Sequence, residues 1–348
     1  MQSYDLIILG SGPGGYVAAI RASQLGMSVM VVEKELLGGV CLNWGCIPTK
    51  ALLRTSEILT YVNGIKEFGL SVSEVKTDIK AIVNRSRKIS EKLSNGIDYL
   101  FKKNKIEVIK GTGSLTGKKK ITVIDNQSNT SNYEAKNIII STGARPKNLG
   151  KITTNSKNIW NYKDAMLPDT VPKSLAVIGS GAIGLEFASF YNSLGTKVKV
   201  FEVVENIAAT EDKDISFALE KSLKKRGILF KTNTLVTDIL DKGSLEISYK
   251  VKNKVMTENF EKALIAIGIT GNTENIGLEN TKVKLKDGHI IVHNNSATDE
   301  EGIYAIGDVT GTPWLAHKAS HEGVLVAERI AGKKEVKPLD RENIPGCT

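Results

Sequence analysis

The feature that most restricts the fold of this chain is a glycine pattern that occurs twice. Tyr4 to Leu9 is a short apolar run of the buried-strand type. It leads into Gly10-Ser11-Gly12-Pro13-Gly14-Gly15 and then a small-residue helical stretch through Gly26. Ser28 to Val32 reads as a second strand and ends in Glu33. Further along, Ser174 to Ile178 is again strand-like, Gly179, Gly181 and Gly184 repeat the spacing of Gly10, Gly12 and Gly15, and Lys197 to Phe201 leads into Glu202. In both copies the acid follows the first glycine by the same interval, roughly twenty residues. A single glycine set is compatible with nothing more than a Gly-rich turn. Two copies with matching flanks are most economically an internal duplication of one strand, turn, helix, strand unit.

Such a turn has a chemistry. The three glycines let the backbone bend sharply, approach a pyrophosphate and pack helix on strand, while the helix N-terminus favours negative charge. Glu33 and Glu202 are placed to accept hydrogen bonds from a ribose diol. The expected fold is therefore α/β, with two duplicated Rossmann-like dinucleotide-binding domains, and at 348 residues the chain is too long for one ordinary core.

Gly38 to Lys50 holds Cys41 and Cys46, two of the three cysteines. A pair so close in sequence, in tight Gly-rich surroundings, suggests a reachable sulfur rather than a core staple, and reads as a redox disulfide. Cys347 is left as an ordinary thiol. No apolar run approaches the ~18 residues of a membrane span, and a first strand near Tyr4 leaves no room for a leader, so the expected setting is a reducing cytoplasm. There, so few cysteines argue for catalysis over a disulfide scaffold. The net charge of +9 is dispersed in short groups such as Lys102, Lys103 and Lys118 to Lys120. Solvated turns and helix faces account for these, and no nucleic acid, membrane or metal is expected.

Between the two units, Thr77 to Lys105 reads as a long charged amphipathic helix with a structural role. Ile106 to Lys110, Lys120 to Ile124 and Asn137 to Ile140 read as strands, with turns at Gly111 and Asp125-Asn126 and a linker beginning at Pro146. After Glu202 come a helix from Asp214 to Arg226 and strand-like runs ending in Ala263 to Gly268. His289 to His293 is strand-like, Gly302 to Val309 is a buried run ending in Gly307-Asp308, and Leu315 to Ala331 has helical periodicity. A Gly-Asp between strand and helix suits a carboxylate aimed at a ligand hydroxyl, with an exposed loop aspartate as the alternative.

Four stretches stand in one order: Gly-Gly-Val-Cys-Leu-Asn-Trp-Gly-Cys-Ile-Pro-Thr-Lys, Ser-Thr-Gly-Ala-Arg-Pro, Gly-Ser-Gly-Ala-Ile-Gly-Leu-Glu, and Ile-Tyr-Ala-Ile-Gly-Asp-Val with Leu-Ala-His-Lys-Ala after it. In them the chain resembles the flavin-disulfide oxidoreductases, most closely the dihydrolipoamide dehydrogenase family, over essentially its whole length. The resemblance implies a FAD-binding domain with the disulfide at 1–147, a NAD-binding domain at 148–270, and a segment at 271–345 that returns to the first domain. It assigns Gly10, Gly12, Gly15, Glu33, Lys50, Gly143, Asp308 and Ala316 to FAD, with Asp308 on the ribityl chain. Gly179, Gly181, Gly184, Glu202 and Gly268 go to NAD. Lys50 is expected beside flavin N5, buried and paired with Glu186. The helix beginning near Leu315 is expected to point its positive end at the flavin N1 and C2 carbonyl region, with Ala316 and His317 contributing backbone.

By the same resemblance Cys41 is the interchange thiol and Cys46 the charge-transfer thiol. The implied reaction is oxidation of protein-bound dihydrolipoamide to lipoamide, with hydride transfer through FAD to NAD⁺. The implied partners are lipoyl domains of 2-oxoacid dehydrogenase or glycine-cleavage complexes, and a second copy of the full-length chain. Glu202, with no Arg between Val203 and Ala209, repels a 2′-phosphate and makes NADP-dependent glutathione reductase a weaker relative. Mercuric ion reductase is weaker because its extra cysteines are lacking. The small thioredoxin reductases carry their pair in the second nucleotide unit.

The sequence also departs from the family. Full-length members continue into a dimer-interface domain that supplies a His and Glu dyad. Ile344-Pro345-Gly346-Cys347-Thr348 resembles only its opening, and His289, His293, His317 and His321 match no such dyad and are given no catalytic role. The expectation is a chain without that domain and impaired in lipoyl turnover. A monomeric FAD- and NADH-binding flavoprotein of diaphorase type is the alternative. Ile269-Thr270-Gly271 stands where many relatives carry Arg-Arg-Pro or Arg-Lys-Pro, which removes that loop's positive charge.

Overall fold

The structure, a computed structural model, describes residues 2–252 and 254–347. Met1, Asn253 and Thr348, the last of the Ile344 to Thr348 stretch, lie outside the described residues. The chain divides into two compact units: Met1–Asn43, Ser90–Arg145 and Thr270–Cys347 make the first, and Trp44–Ile89 with Pro146–Ile269 make the second.

In the first unit, strand Gln2–Leu9 lies between Val29–Glu33 and the C-terminal half of Thr130–Ile140, parallel to both. Glu107–Gly117 extends the sheet beyond Val29–Glu33, and Ile303–Ala305 closes the other side against Ile138 to Ile140. Strands buried on both faces must be apolar throughout. Leu6, Ile7, Ile8 and Ile138 to Ile140 meet that demand with no exposed surface. Glu107–Gly117, Lys120–Asp125 and Thr130–Ile140 also form an antiparallel meander.

The second unit repeats the plan. Ser174–Ile178 lies between Lys197–Phe201 and Lys262–Ile265, with Leu229–Lys231 outside the former and Ile159–Trp160 outside the latter, all parallel. Its own antiparallel meander, Thr234–Asp241, Leu245–Val251 and Lys254–Phe260, occupies the same place in strand order. The α/β class with duplicated Rossmann-like units, the first completed by a returning segment, is thus the architecture of the chain.

The long helix runs from Ile79 to Lys103, close to its expected span. Gly111 departs from expectation: it lies inside Glu107–Gly117 rather than at a turn. A Cβ there would stand 2.5 Å from the Ile124 carbonyl oxygen, so close cross-strand approach, not chain reversal, is why glycine sits at this position. The strand expected at His289 to His293 shortens to His289–Ile290. Among the described residues, no helix is long and apolar enough to cross a membrane.

Candidate functional site

The two glycine turns match atom for atom. A Cβ on Gly15 would stand 2.1 Å from the Gly10 carbonyl oxygen, and one on Gly184 would stand 2.1 Å from that of Gly179. Both close approaches seat a helix on its own strand. Gly10 and Gly179 have φ of 96° and 101°, left-handed conformations that favour glycine. A Cβ at either would meet a carbonyl oxygen at 2.4 Å, that of Ser141 or Ala266 respectively.

The middle glycines behave differently. Gly12 and Gly181 have extended backbones, with φ of −66° and −72°, that any residue adopts. A Cβ on Gly181 would meet no described heavy atom within 4 Å, and one on Gly12 only the Gly39 Cα at 3.9 Å. The protein itself has no steric need for glycine there. A ligand passing against the backbone supplies one, and the helices starting at Pro13 and Ala182 carry no side-chain cap among the described residues to occupy their first amides.

Each turn is tied to its acid. Glu33 accepts from the Ser11 N–H at 2.8 Å and hydroxyl at 2.7 Å, and Glu202 accepts from the Ser180 N–H at 2.8 Å and hydroxyl at 2.7 Å. The second carboxylate oxygen of each takes one backbone N–H, from Glu35 at 2.8 Å or Val204 at 3.1 Å. A carboxylate has about four lone-pair sites, so acceptor capacity remains on both for a diol.

Cys41 and Cys46 are disulfide-bonded, and Cys347 is exposed and free. In the first unit Cys41 lies on the short helix Gly39–Trp44, which is seated on the glycine turn: a Cβ on Gly39 would fall 2.6 Å from the Gly12 Cα, and the Gly38 N–H donates to the Ser11 carbonyl at 3.0 Å. Buried Asn43 fixes that helix by donating to the Leu37 and Gly39 carbonyls at 2.9 and 3.0 Å, and its own carbonyl accepts from Ser94 at 2.9 Å. In the second unit Cys46 opens the helix Cys46–Asn63, and Lys50 follows one turn later on the same face. Helix Cys46–Asn63 packs against Ala182–Ser193, where Lys50 Nζ meets Glu186 Oε1 at 2.5 Å and Ser56 bonds Ser193.

The pairing of Lys50 with Glu186 therefore forms, but the Lys50 side chain is 53% exposed. Its partner Glu186 is the less exposed of the two, at 14%.

The Ser141 to Arg145 segment closes the first glycine turn. The Ser141 hydroxyl donates to the Gly10 carbonyl at 2.8 Å, and Gly143, with φ of 71°, accepts from the Asn272 N–H at 2.9 Å. Arg145 grips Glu274 through two bonds of 2.7 and 2.6 Å, locking the returning segment in place. Gly268 of the second unit is likewise left-handed, with φ of 107°, and a Cβ added there would meet no described atom within 4 Å.

Asp308 sits in the 3₁₀ turn Gly307–Thr310, ahead of the helix Ala316–Ile330, whose first residue is Ala316. Burial raises its carboxyl above the ordinary range, with Lys318 opposing. Beside this turn lie His289, which the sequence left without a role, and Trp314, which it did not single out. His289 and Trp314 have ring centroids 5.9 Å apart, and His289 Nε2 and Trp314 Nε1 are buried with no hydrogen-bond partner among the described residues. Orphaned polar atoms next to a half-buried carboxyl fit a polar ligand at this turn. Lys318 and Glu322, buried below it, also went unread, since charged residues on a helix ordinarily signal a solvated face.

Two nucleotide turns of one design, with a disulfide-bearing helix resting on the first, define a disulfide oxidoreductase that works with dinucleotides. The chain belongs to the pyridine nucleotide-disulphide oxidoreductase family, whose profile matches residues 4–323. It is similar to the dihydrolipoyl dehydrogenase of Rhizobium etli, at 49% identity over all of this chain and 76% of that protein. That of Zymomonas mobilis is 46% identical over 99% of this chain and 74% of the relative, and that of Bacillus subtilis 40% identical over 99% and 75%.

Proposed function

We propose that the chain is a dihydrolipoyl dehydrogenase, oxidising dihydrolipoamide at the Cys41–Cys46 disulfide and delivering the electrons to NAD⁺. The observation that carries the reading is the seating of the Cys41 helix on the Gly10 to Gly15 turn through Gly39 and Gly12. Read this way, the helix that carries Cys41 rests on a dinucleotide cradle.

In this reading Gly10, Gly12, Gly15, Glu33, Gly143, Asp308 and the amides at Ala316 hold FAD, and Gly179, Gly181, Gly184, Glu202 and Gly268 hold NAD. When bound, FAD supplies the two-electron relay between dithiol and nicotinamide. A dihydrolipoyl thiolate attacks the Cys41 sulfur and breaks the Cys41–Cys46 bond, leaving Cys46 as the thiolate. The second lipoyl sulfur then attacks the mixed disulfide, closing the lipoyl ring and releasing Cys41. The substrate is oxidised and the protein disulfide reduced. Cys46 is the first residue of an 18-residue helix and Lys50 lies one turn on, so helix dipole and ammonium both favour the thiolate. Glu186 orients Lys50. Glu202 admits the ribose 2′-OH of NAD and repels a 2′-phosphate. Lipoyl domains of 2-oxoacid dehydrogenase or glycine-cleavage complexes are the partners this substrate implies, in a cytoplasmic setting.

The test is steady-state kinetics on the purified, FAD-loaded chain. NAD⁺-dependent oxidation of dihydrolipoamide is expected, and Cys41→Ser with Cys46→Ser should abolish it while NADH-driven dye reduction persists. Lipoyl turnover retained in the double variant would sink the disulfide assignment. Dye reduction without lipoyl turnover in the parent chain would make it a diaphorase.

A further inference from the structure

Lys318, which the mechanism above does not use, has no exposed surface. Its Nζ donates to the Gly307 carbonyl at 3.2 Å, the Thr310 hydroxyl at 3.1 Å and the Gly311 carbonyl at 3.4 Å, and lies 3.3 Å from Glu322 Oε1. Glu322, 2% exposed, accepts the Gly307 N–H at 2.8 Å through Oε2, and its Oε1 stands 3.5 Å from Arg341. Gly307, Thr310 and Gly311 are therefore held from the helix side, and Asp308 lies among them.

We propose that Lys318 and Glu322 are positioning residues, which fix the turn that presents Asp308 to the ribityl hydroxyls of the bound cofactor. The inference rests on the reading of Asp308 given above and deepens it. Gly307 and Gly311 have φ of 75° and 87°, so the turn lacks the Cβ atoms that would otherwise restrict it. An ammonium reaching two of its carbonyls and one hydroxyl at once, with a carboxylate on the Gly307 N–H, leaves the turn a single shape. Fold stability alone gives no reason for charge here. Taking both charges of an ion pair out of water is costly, and packed apolar residues of similar size often serve a fold as well or better. What methyl groups cannot do is donate to the turn.

The experiment is a double-mutant cycle on FAD affinity, measured by fluorescence titration of the apo chain. Lys318→Met with Glu322→Gln removes both charges while keeping an acceptor for the Gly307 N–H. It should leave the apo melting temperature within a few degrees, weaken FAD binding at least tenfold, and alter the visible circular dichroism of the flavin at saturation. Thr310→Val, a milder change, should weaken binding about threefold. Asp308→Asn alone should weaken it, and its effect should largely vanish in the Lys318→Met, Glu322→Gln background. Parental affinity in that double variant beside a weakened Asp308→Asn, or losses that simply multiply, would overturn the positioning role. Parental affinity in Asp308→Asn would overturn the assignment of Asp308 and this inference with it.

Discussion

At the scale of single residues, glycines of one motif divide by what they touch. Gly184 is demanded by the fold, since an added Cβ would press on the Gly179 carbonyl oxygen at 2.1 Å, whereas Gly181 faces no described atom within 4 Å. Gly181→Ser is expected to leave the unfolding free energy within about 0.5 kcal/mol, because serine is a good N-cap, yet to weaken NADH binding tenfold or more. Gly184→Ala should instead destabilise the chain by about 1–3 kcal/mol through overpacking. Urea unfolding of the apo protein and NADH titration separate the two outcomes. The spacing of these glycines, Glu33 and Glu202 was legible because a backbone turn and its acid are local in sequence. Lys318 was not, because the turn that satisfies its ammonium is brought over it only by folding. Lys50 and its partner Glu186 were found together, because both lie in stretches with a recognisable pattern.

Among elements, the central strands are stapled as well as packed. Asp5 accepts from Lys136 at 2.8 Å and from the Ser28 N–H and hydroxyl at 2.9 and 2.8 Å, tying strand Gln2–Leu9 to Thr130–Ile140 and to the residue just ahead of Val29–Glu33. The Lys136 contact first, then the two bonds from Ser28, hold the Asp5 carboxyl down at about 2. A depressed carboxyl adds stability that is present above its ordinary value near ~4 and is lost as pH falls toward 2. The urea midpoint should therefore drop between about pH 4 and pH 2, and Asp5→Asn should flatten that part of the profile. An unchanged slope in the variant would show that Asp5 contributes nothing there. Parallel strands were readable because burial on both faces makes them continuously apolar. The meanders were harder, because their half-exposed strands, such as Lys254–Phe260, carry little apolar pattern. Gly111 imitated a turn for the same reason that it occurs in a strand: it has no side chain.

Over the whole molecule, two cores built on the same strand, turn, helix, strand unit stand in one chain, and each reading of a glycine turn assigns its unit a different nucleotide. Hydrogen exchange can check that division. FAD is expected to slow amide exchange mainly in residues 2–43, 90–145 and 270–347, and NAD⁺ mainly in 44–89, 146–252 and 254–269, since a ligand protects the cooperative unit it binds. Protection of both sets by NAD⁺ alone would contradict separate sites. The +9 charge gives association with any acidic partner a salt dependence that weakens beyond physiological ionic strength.

The path of the chain through the first unit sets a schedule for its birth. Strand Ile303–Ala305 pairs with Ile138 to Ile140, so the sheet begun at Gln2 gains its last member only after every residue of the second unit has been translated. At ~5–20 residues per second, an emerging polypeptide spends on the order of ten seconds or more with Ile138 to Ile140 as an open rim. During that interval the nascent N-terminal portion is a sheet awaiting its closing strand, and it is then that a ribosome-bound chaperone has most to guard.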